Sequence, residues 1–225
     1  MQIKEMATGY RGQTILEGLN LETKPGQIIG LVAPNGFGKT TFLRTLVGLH
    51  PTSAGKIIYG DADTTKQYYF VPSESYLNPT LSIATYLKYI QAVWHSNRSV
   101  EAVTREFKLA SYVNLPIRKY SLGMLQMANI ALATLSGAPY ILLDEPINGL
   151  DPSNANLVAN LIKRDAKTNN QTFIISSHIL ENLESMVTDV WFLKDKKIIE
   201  AKLSVQPSKT LKKQYEQLFL NSGAK

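Results

Sequence analysis

Three short apolar runs that do not alternate constrain this chain most: Gln27 to Val32, Tyr140 to Leu143 and Thr172 to Ser176. A strand with one wet face alternates apolar and polar residues. A run that stays apolar at successive positions is buried on both faces, the condition of a parallel sheet between two layers. Each run is followed by helical spacing, over Lys39 to Val47, Ser153 to Lys167 and Ile179 to Val187. Asp151-Pro152-Ser153 supplies the second of these helices with a cap and a proline suited to a first turn. Strand, loop and helix in repeated alternation predict an α/β fold with a mostly parallel sheet.

Two regions fall outside that alternation. Short β-like pieces before Gly26, and again between Gly55 and Val71, predict a small antiparallel layer, with Gly60-Asp61 as a turn. From about Leu77 to Ser136 the pattern is helical. Leu81, Ile83, Ala84, Leu87, Ile90 and Val93 recur at helical spacing, and Val100 to Leu109 continues as a second helix. A helical insertion subdomain, about 77–136, therefore interrupts an α/β domain over 1–203. Residues 204–225 read as a short basic C-terminal tail, with four Lys and one Glu and a surface helix over Thr210 to Leu220.

A chain of 225 residues suits one compact domain with a modest subdomain. Its 44% hydrophobic and 19% charged residues exclude disorder. The net charge of +6 fits a slightly basic surface, polyphosphate binding or contact with an anionic membrane, and does not choose among them. There is no cysteine, hence no disulfide and no thiolate metal site. Met1 to Arg11 has no apolar stretch of signal-peptide type. No apolar run approaches the roughly 18 residues that span a bilayer, so a membrane role has to come through a partner.

Between the first buried strand and its helix stands Ala33-Pro34-Asn35-Gly36-Phe37-Gly38-Lys39-Thr40-Thr41. Against the pattern G-x-x-x-x-G-K-[ST] it matches at Gly38, Lys39 and Thr40 and carries Ala33 at the first glycine. Glycines let backbone N–H groups wrap phosphate, and the following helix points its positive end at it. Lys39 is placed to reach terminal phosphates, and the Thr40 hydroxyl to ligate Mg²⁺. Ala33 is harmless if its position merely starts the turn; a positive φ there costs about 1–2 kcal/mol. A hundred residues on, Tyr140 to Leu143 ends in Asp144-Glu145-Pro146, two carboxylates at the strand end where such sheets bind ligands. Asp144 is expected to hold Mg²⁺ and Glu145 to polarise an attacking water.

With these residues the sequence resembles the ABC ATPases, over roughly Ile3 to Glu200. Tyr120-Ser121-Leu122-Gly123-Met124 is similar to the family's signature, Asn148-Gly149-Leu150-Asp151 to its D-loop, and Ser176-Ser177-His178 to its switch histidine. Tyr10 is similar to the aromatic that stacks on adenine. The resemblance implies a P-loop NTPase core and an ATPase that binds ATP and Mg²⁺. Nucleotide contacts are implied for Tyr10, Asn35, Gly36, Gly38, Lys39, Thr40, Thr41, Ser121 and Gly123. Metal contacts fall to Thr40 and Asp144, catalytic roles to Glu145, His178 and Ser73. His50 and His95 are left as structural.

It further implies two such domains facing head to tail, as a homodimer or with a related ATPase subunit. Ser121 and Gly123 of one would meet the nucleotide held by the other. The helical insertion would grip a transmembrane permease subunit, holding the chain at the cytoplasmic face of the cell membrane, with no nucleic-acid partner. The forms Ser-x-Gly-Met, Asn-Gly-Leu-Asp and Ser-Ser-His resemble exporters of peptides, drugs or polysaccharides.

The chain departs from the family pattern at four places. Ser73, in Phe70-Val71-Pro72-Ser73-Glu74, stands where a glutamine is usual, and its hydroxyl reaches less far. Leu122 replaces the first signature glycine, Met127 stands where an arginine commonly follows Gln126, and Ala33 starts the phosphate loop. Two alternatives stay open on this reading: a soluble ABC ATPase without a permease, and a regulatory nucleotide-binding subunit with little turnover.

Overall fold

The computed structural model describes residues 1–60, 66–202 and 211–220. The order of elements is β1 (Gln2–Tyr10), β2 (Gln13–Glu22), β3 (Ile28–Val32), α1 (Lys39–Leu46), β4 (Thr52–Ile58) and β5 (Tyr68–Val71). Then follow α2 (Ile83–Trp94), α3 (Val100–Glu106), a 3-10 turn (Ile117–Lys119), α4 (Leu122–Ser136), β6 (Tyr140–Asp144) and α5 (Pro152–Asn169). The chain continues through β7 (Thr172–Ser176), α6 (Leu180–Glu184), β8 (Asp189–Lys194), β9 (Lys197–Lys202) and α7 (Leu211–Tyr215), which runs on as a π-helical turn, Glu216–Leu220.

The main sheet has the order β5-β6-β7-β3-β8-β9 and is parallel except for β9, which pairs antiparallel with β8. β3 lies between β7 and β8, and every one of its residues is buried. Successive strand residues point to opposite faces, and each face has its own core. Ile28, Val32, Ile141, Leu143, Phe173 and Ile175 pack against the helices α2 to α5. Ile29, Leu31, Leu142, Ile174, Trp191 and Leu193 pack against α1 and the β1–β2 layer, with Met6, Leu16 and Phe42. The unalternating runs are thus strands enclosed from both sides, as expected.

The antiparallel layer is β2-β1-β4. The second β-like piece, however, does not belong to it. β5 pairs parallel with β6, from Tyr68 opposite Tyr140 to Val71 opposite Leu143, at the edge of the main sheet. Four residues carry no mark of which strand they will join, so the local pattern could not assign the partner. Gly60 has φ 47°, as a turn requires, while Asp61 lies outside the described residues.

The helical insertion is present as α2, α3 and α4. Ser82 and Ser99 cap the first two by accepting from Thr85 N and Ala102 N. Beyond its first turn α4 is buried on every side, from Gln126 to Ser136, because it lies between α2 and α3 and the sheet. Arg98 ties this insertion to the core. It donates to Asp165 Oδ2 at 2.6 Å, to Thr134 O at 3.1 Å and to Glu106 Oε2 at 2.9 Å, and Arg164 closes the ring on Asp165 and Glu106.

One helix differs from expectation. α6 ends at Glu184 rather than Val187, and Ser185–Met186 form a turn. The C-terminal helix lies at the surface with one side turned inward: Lys212, Lys213, Gln217 and Leu220 are exposed. Leu211 is fully buried, and Tyr215, Leu218 and Phe219 pack on the main core; Thr210 lies outside the described residues. None of the described helices is long and apolar enough to cross a membrane.

Candidate active site

The site is built where β3, β6 and β7 end. After Val32 the chain turns through Pro34 to Gly38, and Gly38, at φ 100°, starts α1. A β-carbon at Gly38 would stand 2.4 Å from Ile15 Cγ2, so the β2 strand closes directly on this loop and admits only glycine. No side chain caps α1. Its first N–H groups therefore face the loop as ready donors to an anion. Ala33 is not among the residues with positive φ; it begins the turn and supplies a carbonyl to it, so the missing glycine costs nothing there.

Lys39 is 7% exposed. Its ammonium donates to Ala33 O at 2.9 Å, approaches Pro34 O and Asn35 Oδ1 at 3.5 Å, and lies 3.9 Å from Glu145 Oε1. Burial pushes its pKa down, and the nearby Glu145 and Asp144 carboxylates offset part of that. The lysine is thus a poorly solvated cation resting on loop carbonyls, which an anionic phosphate can replace with a stronger, charge-assisted partner.

Thr40, next on α1, donates its hydroxyl to Asp144 Oδ2 at 2.8 Å. Asp144 is buried at the end of β6 and accepts at its other oxygen from Ser176 Oγ, 2.5 Å away. Strand register makes this pair, since Asp144 stands opposite Ser176 on β7. Glu145 follows in the left-handed region at φ 54°, a conformation that costs a non-glycine residue about 1–3 kcal/mol. Ser176 holds it there: Glu145 N donates to Ser176 Oγ at 2.9 Å and lies 3.2 Å from Ser176 O. The twist turns the Glu145 carboxylate toward His178, whose Nδ1 lies 2.9 Å from Oε2 and whose backbone N–H donates to the same oxygen at 3.3 Å.

Tyr10, at the end of β1, is 55% exposed and tilts against His50 with ring centroids 4.6 Å apart. His50 Nε2 lies 3.0 Å from Gly9 O, a structural contact. With Ile15, Asn35, Gly36, Gly38, Lys39, Thr40, Thr41 and Glu145, Tyr10 lines a concavity of about 340 Å³. Asp144 and His178 join that group through their bonds to Thr40 and Glu145.

Ser121 and Gly123 are not brought there. They line a second concavity of about 450 Å³ together with Tyr112, Leu122, Met124 and Gly149. Ser121 caps α4 by accepting from Met124 N at 3.2 Å. Gly123 packs so closely that a β-carbon would stand 2.9 Å from Gly149 O. Leu122 is 57% exposed and lies over Gly149, so its side chain projects outward beside the turn that leads into α5. Ser73 is exposed and lines neither concavity. The residue that sequence reasoning gave no role is Ser176. It stands in the motif Ser176-Ser177-His178, but its place opposite Asp144 depends on register, which is invisible until strands are paired.

Hard oxygen donors at Thr40 and Asp144, beside a phosphate-type loop, fit Mg²⁺, which takes one or two carboxylates plus substrate oxygens rather than an all-protein cage. Among the described residues no group of three or more His, Cys, Asp or Glu side chains is placed to hold a metal by itself.

A glycine loop at a helix N-terminus, a buried lysine within it and an acidic strand end beside it define a P-loop nucleotide-binding ATPase. Residues 16–148 match the family described as ABC transporter, and the chain belongs to that family as an ATP-binding and ATP-hydrolysing subunit that powers a transporter. It is 28% identical over 204 residues to the lantibiotic transport ATP-binding protein SrtF of Streptococcus pyogenes, covering 88% of this chain and 89% of the relative. It is 33% identical over 201 residues to the bacitracin transport ATP-binding protein BcrA of Bacillus licheniformis, covering 85% of this chain and 65% of the relative. The fold is similar to that of a solved ATP-binding subunit of an ABC transporter, at TM-score 0.85 and 23% identity over 96% of this chain and 98% of the other. It is also similar to a dimeric bacterial ABC transporter cassette, at TM-score 0.78 and 22% identity over 91% and 99%.

Proposed function

We propose that the chain drives export of a peptide or another antibiotic-like compound through a separate transmembrane permease subunit, working as a dimer of ATPase chains at the cytoplasmic face of the membrane. Support for the cargo class comes from relatives named for lantibiotic and bacitracin transport and SkfA peptide export. The exposed aromatics Tyr76 and Tyr89 on and before α2 suit a partner surface.

In this reading Lys39 and the α1 N-terminus hold the terminal phosphates, while Asn35, Gly36, Gly38 and Thr41 shape the loop around them. Tyr10 stacks on the base. Thr40 and Asp144 hold Mg²⁺, which supplies charge neutralisation on the phosphates when bound. Glu145 accepts a proton from the attacking water, and His178 orients that carboxylate. Ser121 and Gly123 belong to a second concavity, which supports their serving the nucleotide of a facing subunit. Ser73, exposed, needs closure around nucleotide to take part.

The observation that carries the proposal is the joined pair of networks, Lys39–Glu145–His178 and Thr40–Asp144–Ser176, at the ends of adjacent strands. The test is Glu145→Gln. It keeps size and most hydrogen bonding but removes the base, which costs about 10²–10⁴ in rate. The variant is expected to bind ATP, to turn over at that reduced rate and to accumulate as a closed dimer, measured by steady-state ATPase assay and sizing with the permease present. Turnover at the wild-type rate overturns the role of Glu145. No turnover by either form, partner included, favours the regulatory alternative.

A further inference from the structure

The apex of the phosphate loop has little to lean on. Gly36 (φ 83°) and Gly38 (φ 100°) flank Phe37, and a β-carbon at Gly36 would meet nothing within 4 Å. Phe37 is 46% exposed. Its ring nevertheless meets that of Phe219, edge to face, with centroids 6.1 Å apart and an interplanar angle of 85°. Phe219 is seated in turn against Phe192 of β8, at 6.3 Å, and against Tyr215, at 4.7 Å.

The segment that carries Phe219 is pinned at both ends. Leu211, fully buried, donates its N–H to Glu184 Oε1 at 2.9 Å, and Lys194 at the end of β8 donates to Leu218 O at 2.5 Å. Glu184 ends α6, the helix that begins two residues after His178. One ten-residue piece of chain therefore touches both the loop before Lys39 and the helix after His178.

We infer that Leu211–Leu220 is a brace for the phosphate loop, and that Phe219 is a positioning residue acting through Phe37. A loop with two left-handed glycines has wide conformational freedom, and ordering it around phosphate costs entropy. A side-chain anchor at its apex narrows that freedom before the nucleotide arrives. The direction of the effect follows: without the anchor, nucleotide binds more weakly, while the chemical step on bound ATP is little changed. Edge-to-face pairs contribute enough to shift an affinity by about 2–10-fold.

The inference rests on the nucleotide reading of the loop, and the experiment separates the two. ATP affinity is measured by calorimetry with a non-hydrolysable analogue, and KM and kcat by ATPase assay, for Phe219→Ala, Phe37→Ala, the double variant and Phe219→Tyr. Each alanine variant is expected to raise Kd and KM by about 2–10-fold with kcat nearly unchanged, the double variant no further than either single one, and Phe219→Tyr to bind as wild type. Lower melting temperatures with unchanged affinity overturn the brace and leave the segment a scaffold. Effects that multiply in the double variant overturn the coupling. Should Phe219→Ala fail to fold, Phe37→Ala, on the exposed side of the contact, decides alone: unchanged affinity refutes the proposal. Lys39→Ala is the control. If it binds nucleotide like wild type, the loop assignment has failed; if it loses binding and Phe219→Ala does not, only the brace has.

Discussion

Replacing Ser176 by alanine removes one oxygen from a fully buried position and leaves the backbone and packing as they are. That oxygen has two partners. It donates to Asp144 Oδ1 at 2.5 Å and accepts from Glu145 N at 2.9 Å. The Glu145 N–H keeps Ser176 O at 3.2 Å, so it is not left without an acceptor. Asp144 keeps Thr40 on its other oxygen but loses a charge-assisted bond in a site closed to bulk water. Hydrogen bonds to charged groups contribute about 1.5–3 kcal/mol, and the weakened hold on Glu145 adds to that, so a total near 2–3 kcal/mol is expected. For a chain of this size each kcal/mol moves the melting temperature by about 2–4 °C, which predicts a fall of about 4–12 °C. Activity is expected to fall as well, because Glu145 is held in its left-handed conformation from this side. Thermal melts without nucleotide, and ATPase assays at a temperature where both forms are folded, measure the two effects separately. A variant that melts within 1 °C of wild type and turns over normally would refute the view that Ser176 organises both carboxylates.

Two further outcomes follow from charges placed at a cost. The pKa of Lys39 is lowered from 10.5 in the folded chain, so the unfolded chain binds the extra proton between those two values and stability rises with pH across that window. Lys39→Met is therefore expected to melt higher than wild type without nucleotide, to lack that rise, and to lose ATP binding; a lower melting temperature refutes the sign. Arg98→Ala leaves Asp165 buried with Arg164 alone, so the loss is expected at about 2–4 kcal/mol, somewhat below that of a wholly stranded buried charge. Urea unfolding checks it, and a change under 0.5 kcal/mol would show that Arg164 suffices.

Much of this was legible in the sequence where local chemistry decides the outcome. The unalternating runs became β3, β6 and β7 because burial on both faces leaves their interior positions apolar, and the loop at Gly38 was readable because Gly38-Lys39-Thr40 is a local pattern. What escaped depends on contacts between distant segments. β5 joined the parallel sheet through pairing with β6, some seventy residues on. Ser176 gained its role from standing opposite Asp144. The C-terminal helix read correctly as lying at the surface, but the docking site for Leu211, Leu218 and Phe219 is assembled from α6 and β8 and has no local mark.

The central position of β3 has a consequence for how the chain is made. Ile28 pairs with Phe173 and Ile29 with Asp189, so both neighbours of β3 are synthesised roughly 145–160 residues after it. At about 5–20 residues per second, an apolar strand with two open edges waits on the order of 10–30 s for its partners. The β1–β2 hairpin and α1 can cover one face of it in that interval, but the edges stay unsatisfied. This ATPase is therefore expected to depend on chaperones early in its life, and to aggregate through Ile28–Val32 when truncated before Phe192.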